Sequence, residues 1–312
     1  MGNRTTDSSL DKVVKRKRHS RLVDFGIRLV KEKPLGAVMG VVTILLLLVA
    51  IFADLIAPYG MNETGVADFL AGPSFAHLMG GDQLGRDMFS RIIYGARISV
   101  IVGLFATFLS IVVSLTVGGL SGYIGGKFDL IVQRFVDAWM CFPELVLLII
   151  IMSFIGPGLW NVIIVLALVF GIAGSRIIRG AAMSVKENAY VQAAVAIGCS
   201  TPRIFIRHIL PNIMATTIVL FTVRVPASIL AEAAMSFLGY GVPPPTPSWG
   251  GMLSAEGRTY MFLSLSIAIW PGLALSTVVF SVNMFGDALR DLFDPRLRGG
   301  TRRYGMKVKN PQ

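Results

Sequence analysis

The chain has 312 residues, of which 54% are hydrophobic and only 15% charged, with a mean hydropathy of +0.69. That is too apolar for a soluble domain, which must cover its surface with polar groups, so an all-α integral membrane protein is expected. The net charge of +11 would suit a nucleic-acid partner, but the basic residues are grouped at the ends and in short loops. Membrane topology accounts for that grouping, and no nucleic acid is required.

A basic tail, residues 1–34, comes first, and its Lys15-Arg16-Lys17-Arg18 cluster is of the kind drawn to anionic lipid. So long a charged stretch before the first apolar run is not the form of a cleavable signal peptide. Crossing a hydrocarbon core of about 30 Å takes about 20 apolar residues. Segments of that kind are read at 35–57, 98–123, 138–155, 159–174, 213–239 and 261–285, which gives six transmembrane helices.

Between the first two spans, residues 58–95 form an external loop broken by glycines, within which Gly80-Gly81-Asp82-Gln83-Leu84-Gly85-Arg86-Asp87 stands out. Its glycines, acids and arginine read either as a tight turn stitched by ion pairs or as a solute contact. The second span carries Gly118, Gly122 and Gly126 at four-residue spacing, the pattern of close helix packing. A short inner loop with Lys127, Asp129, Arg134 and Asp137 leads to the third span. After the fifth span comes a second external loop over 242–260, stiffened by prolines at 243–245 and 247 and carrying Trp249 at the interface. A basic tail, 291–312, ends the chain.

The inner segment between the fourth and fifth spans, 184–211, reads as a helical hairpin. Ser184-x-x-Glu187 has the form of a capping box that starts a helix. Gly198 suits the left-handed closure of that helix. Thr201-Pro202 supplies a new cap and a first-turn proline, and Pro211 ends the second helix. Two short helices tethered to spans at both ends suit a groove on another protein; an amphipathic connector on the membrane surface is the plainer reading.

Four ionisable residues lie in the apolar spans: Asp54, solvated near the outer boundary of the first, and, deeper, Arg224, Glu232 and, just after Phe142-Pro143, Glu144. Such groups face a bundle interior, a water-filled path or a partner. Arg224 and Glu232 are eight residues apart, about 12 Å along a helix, so each is expected to pair across helices rather than with the other. They read either as lining for a translocation path, attracting the ends of a peptide, or as interhelix ion pairs. With both termini and the hairpin inside, 24 of the 29 Lys and Arg residues face the cytoplasm. No Cys/His set has metal-ligand spacing, no nucleophile triad is evident, and Cys141 and Cys199 fall on the reducing side.

The hairpin resembles the EAA loop of ABC-importer permeases, whose pattern is Glu-Ala-Ala, three residues, Gly, nine residues, Ile, one residue, Leu-Pro. Gln192, Ala193, Ala194, Gly198, Leu210 and Pro211 fall at its offsets, with Gln192 in place of the acid and His208 in place of Ile. The 80–87 segment resembles the GTDxxGRD stretch of the dipeptide, oligopeptide and nickel branch. Ser236 to Gly241, Pro244 to Gly250, and Asp287-x-x-Arg290-Asp291 with Asp294-Pro295-Arg296 are similar to stretches of that branch's second permease subunit.

The resemblance implies a type I permease fold with a five-helix core over 96–290. It implies ATPase coupling through Gln192, Ala193, Ala194, Ile197, Gly198, Arg203, Ile204 and Pro211, with Ala193, Ala194, Ile197 and Ile204 set against the partner's groove. It implies an external segment with Asp82, Arg86 and Asp87. The partners implied are a second permease as heterodimer, two ABC ATPase subunits and an extracytoplasmic solute-binding protein, at the inner membrane. Gly126-Lys127 is followed by Phe128, and Ser121 stands where a phosphate-binding loop needs its first Gly, so this chain binds no ATP and hydrolysis with Mg falls to partner subunits. A self-sufficient secondary transporter or channel for a small solute is the alternative, although the inverted repeats that reading predicts are not visible. A scaffold without transport is a third.

Overall fold

The computed structural model describes residues 21–293. The basic cluster at 15–18 and the Asp294-Pro295-Arg296 segment lie outside them. Among the described residues there is no strand, only a β-bridge between Gly81 and Asp87. A short helix, α1 (Arg21–Glu32), precedes the first span, α2 (Pro34–Ile51), and α3 (Ala53–Ile56) follows it. The second span is α4 (Met88–Ser114), a π-helical turn at Leu115–Gly119 and α5 (Leu120–Ile124), continuous over Met88–Ile124. Next come α6 (Gly126–Met140), α7 (Glu144–Ile155) and α8 (Leu159–Lys186). The hairpin supplies α9 (Ala189–Ala196) and α10 (Thr201–Ile204), and a second π turn, Phe205–Ile209, leads into α11 (Leu210–Phe237). External α12 (Trp249–Leu253) and α13 (Ala255–Tyr260) precede the last span, α14 (Ser266–Phe293).

Among the described residues five helical runs are long and apolar enough to cross a membrane, and counting α6 with α7 as one broken crossing gives six. That pair is bent by 91° and corrects the expectation of a straight third span over 138–155. Pro143 disfavours helical geometry in Phe142, so the chain turns there. The 12 residues of α7 then reach only about 18 Å at 1.5 Å per residue. The supposed inner loop is α6 itself, held to the inner end of α8: Arg179 donates to both Asp129 oxygens at 2.6 and 2.5 Å, and Arg176 pairs with Asp137.

Two further boundaries move for local reasons. The second span starts at Met88 rather than 98, because Asp87 caps α4 by accepting from Ser90 N at 2.8 Å. The last starts at Ser266, since 261–265 is not helical.

Gly118 and Gly122 play the packing role their spacing predicts. A Cβ on Gly118 would lie 2.0 Å from the Ser175 carbonyl oxygen of α8, and one on Gly122 2.6 Å from that of Arg179. One core cluster joins α4, α7, α8 and α11 around Val102, Leu148, Met152, Leu166 and Met235. A second gathers around Trp249, whose Nε1 donates to the Ile92 carbonyl at 3.1 Å and pins α12 against α4. The third lies beneath the hairpin.

Candidate functional site

The hairpin starts later than its sequence suggests. Helix α8 runs through Ser184 to Lys186, so the Ser184-x-x-Glu187 capping box does not form; Ser184 lies inside a helix already propagating from the membrane. The new helix begins after Asn188, and Gln192 Nε2 donates to the Lys186 carbonyl at 2.9 Å. The amide in place of the usual acid thus closes the end of α8 with a proton that a carboxylate lacks.

Closure of α9 follows the expectation. Gly198 has φ +79°, its N–H donates to the Val195 carbonyl at 3.0 Å, and that of Cys199 donates to Ala194 at 3.1 Å. This is the Schellman pattern, which a side chain at Gly198 would strain. Ser200 rather than Thr201 is the cap of the next helix. Pro211 does not end that helix: the π turn ahead of it widens the backbone, and an unbroken helix runs over Thr201–Phe237. In the wider turn the proline's missing N–H and its ring are tolerated.

Burial divides the hairpin into two faces. Val191, Ala194, Ile204 and Ile209 are buried against Tyr123, Ile178 and Ala182 of the same chain. Ala194 and Ile204 therefore fix the hairpin to its own body, contrary to the expectation that they meet a partner's groove. Ala193, Gly198, Arg203 and Pro211 are exposed, and Ile197 is 79% exposed. Beside them lie exposed Tyr190, Val195 and Ile206, apolar positions that the motif did not single out.

The membrane charges do not group as a single set. Arg224 on α11 reaches across helices to Glu144, Nη1 to Oε1 3.5 Å, and lies 4.7 Å from the Phe170 ring centroid. Glu232 is only 1% exposed, accepts from Ser236 Oγ at 2.7 Å on its own helix and, among the described residues, has no ion-pair partner. Since Ser236 Oγ also accepts from Val242 N at 3.1 Å, Glu232 belongs to the anchoring of the second external loop. The expected interhelix pairing holds for Arg224 and fails for Glu232.

The external segment is a stitched turn. Asp82, Arg86 and Asp87 are all buried. Asp82 accepts from Leu84 N at 2.8 Å, Arg86 N at 3.0 Å and Arg86 Nε at 2.5 Å, with Arg91 Nε 3.5 Å away. Asp87 accepts from Ser90 and meets His77 Nδ1 at 3.0 Å. Buried in this way, the three have no open face toward a solute. Nearby, the Arg97 guanidinium, 2.8 Å from Asp54, holds its carboxyl below the usual carboxylate range. Among the described residues no group of His, Cys, Asp or Glu is arranged to hold a metal ion.

Residues 114–299 match the family described as binding-protein-dependent transport system inner membrane component. The glutathione transport system permease protein GsiD of Escherichia coli O157:H7 is 40% identical over 257 residues, 82% of this chain and 84% of that protein. GsiD of Shigella sonnei is 40% identical over the same extent. An inward-facing structure of the MetNI methionine ABC transporter superposes with a TM-score of 0.52 at 16% identity, covering 66% of this chain and 98% of the other, a likeness of fold. The family match spans the two π turns, the broken crossing and the hairpin, the elements that set this fold apart from a plain bundle. The chain thus belongs to the binding-protein-dependent transport system inner membrane component family, as a non-catalytic, multi-pass permease of an ABC importer in the inner membrane, working with an ATPase and a binding protein.

Proposed function

We propose that the chain is one half of a heterodimeric translocation path for peptides or peptide-like solutes, moved by ATPase subunits that grip its cytoplasmic hairpin. The carrying observation is the hairpin itself: one face is welded to the permease core, and the other presents Ile197, Val195, Tyr190 and Ile206 to a partner. Driving a two-state transporter from mostly inward-open to mostly outward-open takes about 5.5 kcal/mol of differential binding, more than a loosely hung loop can pass on. Two ATPase subunits would use ATP and Mg, one of them on this hairpin through Gln192, Ala193, Ile197, Gly198, Arg203 and Pro211, with Ala194 and Ile204 supporting from behind.

Both termini and the hairpin are assigned to the cytoplasm, as the 24 basic residues favour. The glycine-rich external segment with Asp82, Arg86 and Asp87 shapes the surface offered to the solute-binding protein. The relatives' role in glutathione transport supports a peptide-like solute. Arg224 and Glu144 line the path, whereas Glu232 keeps its outer rim in shape.

The test is co-purification from membranes that make the whole transporter. The tagged chain is expected to retain an ATPase and a second permease. Gly198→Val, which forces a β-branched residue into a left-handed backbone, is expected to leave the chain in the membrane, release the ATPase and stop uptake. Transport by the lone chain in vesicles, down an ion gradient without nucleotide, would overturn the reading in favour of a secondary transporter.

A further inference from the structure

We propose that the break in the third span is a recognition site for the charged ends of the solute, Arg224 taking a carboxylate and Glu144 an ammonium group. This deepens the peptide reading above and rests on it. Depth comes first. Glu144 begins α7, so it lies about 18 Å from that helix's outer end, and Arg224 lies 13 residues below Phe237, about 20 Å. Two independent helices thus place the pair in the inner half of a hydrocarbon core of about 30 Å.

Exposure decides what it faces. The Glu144 side chain is 49% accessible and that of Arg224 18%. A half-exposed carboxylate at this depth is not left against lipid; it faces the partner permease or the water-filled path that runs between the two. The pair is also loosely closed: its 3.5 Å separation is long beside the 2.5 Å of Asp82 and Arg86. A third group points the same way. Trp139 lines a small cavity of about 70 Å³ together with Glu144, Phe142 and Leu147, and its buried indole N–H has no acceptor. A carbonyl or carboxylate of the solute supplies that acceptor.

The energetics select for two charges. Opening the pair leaves two ions unmatched, which is costly in a low dielectric. A solute with one charged end restores one ion only, whereas a zwitterion restores both. Rejection of the singly charged analogue then follows from the ion left behind.

The experiment uses the complete transporter in proteoliposomes, with uptake expressed per solute-loaded binding protein, so that selection by the binding protein is divided out. The probes are a dipeptide, its C-terminal amide and its N-acetyl form. Wild type is expected to favour the free dipeptide by about tenfold over either analogue. Arg224→Gln is expected to bring the free dipeptide down to the amide's rate without slowing the amide, and Glu144→Gln to do the same relative to the N-acetyl form. Equal slowing of all three would make the pair a structural tie and overturn the proposal, while the peptide reading stood. No uptake of any peptide by wild type would remove that reading and the proposal with it.

Should a variant fail to assemble, wild type alone decides through Cys141, a free and exposed thiol three residues from Glu144. The dipeptide is expected to slow its alkylation about tenfold in the inward-open complex, relative to a peptide blocked at both ends. Equal protection by the two overturns the proposal.

Discussion

Gln192 carries a consequence larger than its size. Its amide donates to the last carbonyl of α8, at the negative end of that helix. Glutamate has nearly the same shape but no proton to give, and its charge opposes the carbonyl. Gln192→Glu is therefore expected to loosen the corner between α8 and α9 by about 1 kcal/mol, read as roughly fivefold faster hydrogen exchange over 187–193. Gln192→Ala should match it, and an unchanged rate would count against the bond. The sequence shows that the acid is missing here, yet not what the amide does, because the acceptor is a backbone carbonyl whose position depends on where α8 stops. The same limit hides the Arg224–Glu144 pair: each residue reads as an intramembrane charge, but 80 positions separate them and only the fold joins them.

The π turn at Phe205–Ile209 decides how the hairpin meets the fifth span. One extra residue in a helix turns everything beyond it by about 100°. Deleting Ile206, which is exposed, is expected to restore α geometry and rotate the buried face of α10 off the cluster around Tyr123 and Ile178. The chain should still insert, while ATP hydrolysis continues and uptake falls more than tenfold; uptake and hydrolysis falling together would instead show a lost ATPase contact. Pro211 hid this continuity, since a proline normally marks the end of a helix and nothing in the residues announces a π turn. Ser184 misleads for a related reason: a capping box is a local preference, and an established helix overrides it. Helix α6 reads as a loop in the sequence because its acids find their partners, Arg176 and Arg179, only on another helix. Gly198, by contrast, was legible, because only its own backbone geometry matters.

For the whole molecule, the apolar segments are enough to read six crossings, since bilayer thickness acts on the chain as a linear sequence, and the placement of the basic segments predicts a direction. The direction has a test. A membrane-impermeant thiol reagent added outside should label Phe75→Cys, a fully exposed external position, and spare Cys199; added inside it should do the reverse. Labelling of Cys199 from outside would invert the topology.

The helix over Thr201–Phe237 has a mechanical corollary. It is a single helix of about 55 Å that carries the hairpin's second arm at one end and leads into the 242–260 loop at the other. A rod pivoting near its middle by about ten degrees displaces its two tips by about 5 Å in opposite directions. In the transport cycle proposed above, spreading below and converging above would then be one movement, closing the path at one mouth whenever it opens at the other, without a second joint to coordinate them.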